Sequence, residues 1–212
     1  MTDSIKRVRI RFAKQGEICY ISHHDLMKLF ERAMRRASIP IAMSKGFNPH
    51  PKMSVPLSLS VGISGKNEIL ELDLLPPLSI ETLLTCFKKQ LPNGIQILSA
   101  EVIPQSLKGS VYNATYEVVF KDAHRLKTVK IHEFLNRSSV IVYRTKNRNQ
   151  KPFNVRPSVQ EIVVRRNVLK MTIKMLPDGM AKPDEVLLAL GMEKKKELFE
   201  IIRTKVNLNS SA

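Results

Sequence analysis

The stretch RVRIRFAK, residues 7–14, decides how the chain begins to fold. Val8, Ile10 and Phe12 alternate strictly with charged or polar positions along it. Successive side chains of a β-strand point to opposite faces, so this alternation predicts a half-buried strand with a basic outer face. The next part of the chain has to cover the apolar face of this strand.

The segment SHHDLMKLFERAMRRASIP, residues 22–40, has the spacing of a covering helix. Its apolar residues recur at intervals of three and four, at Leu26, Leu29, Phe30, Ala33, Met34 and Ala37. This period predicts an amphipathic helix that begins after the N-cap Ser22, with Asp25 as capping partner, and ends before Pro40. Most of its outer face is basic, with Lys28, Arg32, Arg35 and Arg36.

The rest of the first half alternates strand and helix patterns. Two alternating runs, 54–63 and 68–75, flank a glycine-containing connector and predict a β-hairpin. A helix within 76–94, capped by Ser79, and a strand over 95–103 follow. The resulting order β-α-β-β-α-β is that of a ferredoxin-like unit.

The second half repeats this order of elements without repeating the residues. We predict strands over 111–120, 139–146, 159–175 and 198–208, and helices over 125–137 and 182–192. The predicted fold class is α+β, with two tandem ferredoxin-like (βαββαβ) units, antiparallel sheets and a less regular second unit. The predicted domains are residues 1–104 and a strongly basic unit over 105–212.

The charge of the chain is the first indication of its partners. Its 212 residues include 35 Lys and Arg against 19 Asp and Glu, a net charge of +16. Such an excess favours a polyanion, above all RNA or DNA, over an anionic membrane, an acidic protein or a solvated surface without a charged partner. No apolar run approaches the roughly 18 residues of a membrane span, and no signal peptide is visible, so we expect a cytoplasmic protein.

The segment YRTKNRNQKPFNVRP, residues 143–157, concentrates positive charge and contains no acid. Its candidate phosphate contacts are Arg144, Lys146, Arg148, Lys151 and Arg156. Tyr143 and Phe153 could stack on bases, so the pattern predicts an RNA-binding hairpin loop. A mobile, solvated loop is the alternative.

The segment SKGFNPHPKMS, residues 44–54, is the second candidate contact segment. Pro49 and Pro51 stiffen it, and turn geometry alone accounts for its prolines and glycine. Turn geometry does not account for the joint display of Phe47, Asn48, His50 and Lys52. We predict that these residues grip phosphate or a nucleotide together with Ser22 and His23, because a helix start offers free backbone N–H groups to an anion.

The candidates for proton transfer are His23 and His24 in the first turn of the predicted helix, with His50 as the other candidate. A helix N-terminus disfavours imidazolium, which would leave His23 as a neutral base. A histidine pair with a lysine suffices for metal-free RNA cleavage through attack by a 2′-hydroxyl. Cys19 and Cys86 belong to no C-x-x-C or cysteine–histidine cluster, and no cofactor motif occurs, so we expect no metal and no cofactor. This favours a non-enzymatic role while catalysis stays open.

These motifs resemble those of the radical-SAM-linked domain family, a bacterial family of unknown function. The family pattern has an R-F-x-K-x-G strand, a Ser-His-x-Asp-Leu helix start and a G-F-N-P-H-P-K loop. This chain supplies Arg11, Phe12, Lys14 and Gly16, then Ser22, His23, Asp25 and Leu26, and then residues 46–52. The resemblance is strong over 7–100 and weaker to the end, where FNVRP at 153–157 resembles a basic family segment. The family commonly has Leu in place of His24, which points to His23.

The resemblance implies an association with radical-SAM proteins. This chain lacks the C-x-x-x-C-x-x-C motif of the usual radical-SAM cluster, so the associated enzyme would be separately encoded. We predict an RNA-binding accessory protein that presents RNA, such as tRNA or rRNA, to that enzyme. Two alternatives stay open: a metal-free endoribonuclease that uses His23 or His50, and a scaffold that docks the radical-SAM enzyme.

Overall fold

The computed structural model describes residues 5–76, 78–107, 109–122, 130–146, 149–192 and 198–209. Contacts between residues divide the chain into a first unit, 1–111 with 208–212, and a second unit, 112–207. The division into domains at 104 and 105 stays a prediction.

The first unit is built on strand β1, Lys6–Lys14, as its alternation predicts. β1 pairs antiparallel with β3, Ser64–Leu74, on one side and with β4, Ile95–Ile103, on the other. The two-residue strand β2, Met53–Ser54, pairs antiparallel with β3. The strand order in this unit is therefore β4-β1-β3-β2.

Two helices of the first unit begin where the sequence predicts. α1 spans His23–Arg36, and its N-cap Ser22 accepts a hydrogen bond from a backbone N–H of the first turn. α2 spans Ile80–Lys88, and Ser79 caps it in the same way. A hydroxyl at this position satisfies one of the helix N–H groups that have no partner within the helix.

The core of the first unit joins both helices to β1. The rings of Phe12 on β1 and Phe30 on α1 meet edge to face with centroids 5.1 Å apart. Phe87 on α2 lies 5.9 Å from Phe30, and all three side chains are fully buried. The apolar face predicted for β1 is thus covered by α1 and α2 together.

The opposite face of β1 is less basic than the sequence predicts. Arg7 Nε donates to Asp73 Oδ1 at 2.9 Å, and Arg9 Nη2 donates to Glu71 Oε1 at 2.7 Å. Both carboxylates stand on the neighbouring strand β3, directly opposite the arginines. The charges of Arg7 and Arg9 are therefore matched within the sheet, whereas Arg11 donates to the neutral amide oxygen of Asn67 at 3.2 Å.

The second unit contains more strands than the sequence predicts. Its strands are β5 (Val111–Phe120), β6 (Ile141–Lys146), β7 (Asn149–Asn154), β8 (Val159–Arg165), β9 (Val168–Leu176), β10 (Gly179–Met180) and β11 (Phe199–Leu208). β10-β9-β5-β11 are neighbours in that order, β8 also pairs with β9, and β6 and β7 form a separate two-stranded sheet. The helices are α3, Ile131–Asn136, and α4, Pro183–Ala189. Phe120 and Phe199 pack in its core with ring centroids 5.5 Å apart.

The predicted architecture of two tandem ferredoxin-like units is wrong as a description of this chain. The described residues are mostly β: they form eleven strands, two of them in a separate sheet, and only 23% of the described residues are helical. The strand predicted over 54–63 shrinks to β2, because Pro56 cannot donate to a ladder and turns follow it. Part of the predicted basic loop is strand β7. The helix predicted over 125–137 appears as α3, and its part 125–129 lies outside the described residues.

Candidate nucleic-acid interface

Residues 41–53 form an arch whose two ends are fixed on β3. Ala42 N donates to Asp73 O at 2.8 Å, and Asp73 N donates to Lys52 O at 3.0 Å. Lys52 N in turn donates to Ala42 O at 2.8 Å. Each end of the arch is thus bonded to β3 and to the other end, so the sheet sets its position.

The tip of the arch, residues 44–50, is closed by its own hydrogen bonds. Ser44 N donates to His50 O at 2.8 Å, and His50 N donates to Ser44 Oγ at 2.9 Å. Gly46 has a φ of +129°, a conformation that side chains with a Cβ rarely adopt. Pro49 adds a fixed φ within the tip. The backbone is therefore shaped without help from the larger side chains.

Those larger side chains point into solvent. Phe47 has an exposed fraction of 106%, the value of an unprotected residue. Asn48, His50 and Lys52 are exposed as well. The exposed ring contributes little to the core and is free to contact a partner.

Ser22 and His23 at the start of α1 are engaged within the protein. Ser22 Oγ accepts from Asp25 N at 3.1 Å and donates to Asp25 Oδ2 at 2.6 Å. His23 is half-buried, and its Nδ1 is buried without a hydrogen-bond partner in the described part of the chain. Nearby, fully buried Lys14 donates through Nζ to Ile21 O at 3.0 Å. The side chains at this end of the helix therefore make contacts mainly within the protein.

The environment of His23 favours the neutral imidazole. Burial lowers its pKa most, and the positive charges of Lys14 and His24 lower the pKa further. The sequence predicts a lowered pKa from the helix N-terminus; in the structure, desolvation by burial is the largest cause. His23 thus turns Nδ1 inward, in an environment that disfavours the charged imidazolium.

The structure does not unite the two candidate catalytic histidines. His23 lies at the start of α1, and His50 lies on the arch tip. Among the described residues, no hydrogen bond or ion pair joins them. A catalytic His23–His50 pair stays a prediction without geometric support.

Arg144, predicted to contact phosphate, is held inside the second unit. Its guanidinium donates to both carboxylate oxygens of Glu185 at 2.8 and 2.7 Å and to Met180 O at 2.8 Å. It also lies 3.4 Å from the ring centroid of Phe153, which is buried rather than free to stack. These bonds occupy Arg144 in linking the hairpin of β6 and β7 to α4.

The remaining basic candidates of this hairpin differ in their positions. The Arg156 guanidinium donates to Leu135 O at 3.1 Å and to Val159 O at 2.9 Å, so it too has a structural role. Lys151 is exposed. Lys146 pairs in register with Asn149 through the backbone of the hairpin. Arg148 lies outside the described residues.

A basic groove on the first unit was not predicted as a site. Its wall on α1 carries Lys28, Arg32 and Arg36, its other wall includes Lys89, and it encloses about 540 Å³. The spacing of three cations at i, i+4 and i+8 was visible in the sequence and indicated a single stripe. The contribution of Lys89 was not visible, because it depends on how α2 ends beside α1.

The described residues show no cluster of three or more His, Cys, Asp or Glu side chains that could hold a metal ion. None of the helices in these parts of the chain is long and apolar enough to cross a membrane. Fold and site define the class: a basic, mostly β protein that displays a stiff arch.

A comparison with known families places this chain more closely. Residues 7–183 match a family described as "Uncharacterized protein conserved in bacteria (DUF2344)", and the chain belongs to that family. The match includes α1, the arch and the hairpin of β6 and β7. No curated protein matches the chain.

Proposed function

We propose that this protein is a cytoplasmic RNA-binding accessory protein that presents RNA, such as tRNA or rRNA, to a separately encoded radical-SAM enzyme. The observation that carries the proposal is the exposed Phe47 on a closed arch, beside Asn48, His50 and Lys52. A stacking ring, an amide, an imidazole and an ammonium suit an unpaired nucleotide and its phosphate.

The charge of the whole chain supports the same class of partner. A net charge of +16 attracts a polyanion over distances that single contacts do not reach. Partial pairing of the arginines on β1 and in the second unit lowers the free positive charge but leaves the arch cation Lys52 exposed. The radical-SAM partner rests on the resemblance of the arch and helix motifs alone.

The test of RNA binding uses the full chain and total bacterial RNA. We expect binding that weakens linearly in log Kd against log salt, and photo-crosslinks that map to the arch. Absence of salt-sensitive binding, or crosslinks confined to other segments, would overturn the proposal.

The same protein and RNA also distinguish the two alternatives, a metal-free endoribonuclease and a docking scaffold. RNA cleavage in EDTA that disappears in His50→Ala would favour the endoribonuclease. A pull-down that retains a radical-SAM enzyme after RNase treatment, without RNA binding by this chain, would favour the docking scaffold.

A further inference from the structure

The groove beside α1 has a chemical character that the arch lacks. Lys28, Arg32 and Arg36 line one wall, and residues 89–92 line the other. Successive cations on α1 are four residues apart, which is about 6 Å along a helix axis. The groove therefore presents a linear array of positive charge, which suits an extended polyanion better than a single anion.

One cation of the groove is already held in place. Arg36 Nε donates to Gln90 Oε1 at 3.1 Å, and its Nη2 donates to Gln90 O at 2.7 Å. A guanidinium has about five N–H donors, so these two bonds leave others for a ligand. A pre-oriented guanidinium loses less rotamer entropy when it binds a phosphate.

The charge of the groove is poorly matched within the protein. Among the described residues, no carboxylate lies within ion-pair distance of Lys28, Arg32 or Lys89. Asp25 is the acid in its lining; that carboxylate accepts from the Ser22 hydroxyl at 2.6 Å, and the charge of Lys28 helps to lower its pKa, so Asp25 offsets part of the positive charge at one end of the groove. By contrast, Arg35 on the same helix pairs with Glu31 at 2.9 Å and does not line the groove.

A purely structural explanation accounts for part of this pattern only. Cations in the last turn of a helix stabilise it through the helix dipole, which suits Arg36. Lys28 and Arg32 stand in the middle of α1, where that effect has faded, and both are exposed. The helix dipole therefore does not explain why these two cations lie in the same groove as Lys89.

We infer that this groove binds the sugar–phosphate backbone of a single RNA strand, in which Lys28, Arg32, Arg36 and Lys89 contact phosphates. The inference rests on the proposed function and adds a second surface to it. The arch contacts a base, and the groove carries the salt-dependent share of the affinity.

The experiment compares two double variants with the wild-type chain on a fluorescent single-stranded RNA. Lys28→Gln/Arg32→Gln removes two groove cations, and Arg35→Gln/Lys88→Gln removes two exposed cations that do not line the groove. We expect the groove variant to lower the slope of log Kd against log salt by about 1.4, from about 0.7 per phosphate contact. The control should keep the wild-type slope.

Circular dichroism and the thermal midpoint check that each variant folds. The variant Lys28→Arg/Arg32→Lys keeps both charges, so it should have the wild-type slope of log Kd against log salt. An unchanged slope in the groove variant, or an equal fall in the control, would overturn the groove inference while RNA binding itself stands. A wild-type chain without salt-sensitive binding would overturn the proposed function and this inference with it.

Discussion

The arch of the first unit and the hairpin of β6 and β7 look alike in sequence and differ in structure. Both combine proline, lysine and aromatic residues. On the arch, Phe47 is fully exposed and Lys52 is exposed with it. In the hairpin, Phe153 is buried at 7% exposure beneath Arg144, which is bonded to Glu185.

The difference follows from backbone hydrogen bonding. In the hairpin, Val142 pairs with Phe153 and the two share one face, so the aromatic ring turns inward with its buried neighbour. The arch tip has no such ladder partner for Phe47 among the described residues, and its backbone closes through Ser44. A basic, aromatic segment is thus a surface only where pairing does not turn its side chains inward.

The largest expected effect tests the hairpin, whose side chains turn inward. Arg144→Met should lower the free energy of unfolding by about 2 to 3 kcal/mol, because Glu185 would keep a buried charge without its cation. Glu185 is only 8% exposed, so water screens it poorly. Chemical denaturation of both proteins measures the difference.

The control for this change is the neighbouring Lys151→Met. Lys151 is exposed, so its loss should alter the unfolding free energy by less than about 0.5 kcal/mol. Equal stability of Arg144→Met and wild type, with weaker RNA binding, would show that the hairpin is a surface after all.

Much of the first unit could be predicted because its local patterns agree with its packing. The alternation of β1 and the caps Ser22 and Ser79 were read correctly, since each depends on neighbouring residues alone. The strand predicted over 54–63 was wrong. Its apolar residues alternate with a period of two, but Pro56 and the turns that follow it interrupt the strand.

The candidate site was predicted unevenly for the same reason. The display of Phe47 and Lys52 was predicted from the composition of residues 44–54, and both side chains are exposed. The pairing of Arg144 with Glu185 spans distant parts of the sequence, and composition does not reveal it. The lowered pKa of His23 likewise depends on burial and on the charge of Lys14, which belongs to another element.

The second prediction tests the exposed side of the comparison. Phe47→Ala should weaken binding of single-stranded RNA by about fivefold or more, since a stacked base contributes about 1 to 3 kcal/mol. Tyr143→Ala removes another exposed ring, on the hairpin, and should change Kd less than twofold. Fluorescence anisotropy with one RNA compares them, and a larger loss for Tyr143→Ala would reverse the roles of the two segments.

The third prediction concerns the stiffness of the arch. Gly46→Ala puts a Cβ at a φ of +129°, which costs about 1 to 2 kcal/mol although the space around it is open. The strain should open the tip locally rather than unfold the unit. Hydrogen exchange at the Ser44 and His50 amides should therefore become faster, and Lys45→Ala should leave it unchanged.

Exchange at those two amides that matches wild type in Gly46→Ala would show that the tip tolerates another backbone conformation. The arch would then be a flexible loop, and its contrast with the hairpin would lie in exposure alone.

The smallest expected effect concerns His23, which is turned inward although it neighbours the exposed His24. Burial holds the pKa of His23 below its ordinary value of 6.5. Between the folded and unfolded pKa values the unfolded chain binds more protons, so stability should rise with pH through that window. His23→Gln should flatten this part of the stability profile, measured by urea denaturation between about pH 5 and 7.5.

His24→Gln is the matched control for that measurement. His24 is the smallest of the causes that lower the pKa of His23, and burial, the largest, is untouched by its removal. Most of the pH dependence should therefore survive in His24→Gln. If His23→Gln kept the wild-type slope, burial of His23 would contribute nothing to the pH dependence of stability. The start of α1 would then again be a candidate contact surface, as the arch is.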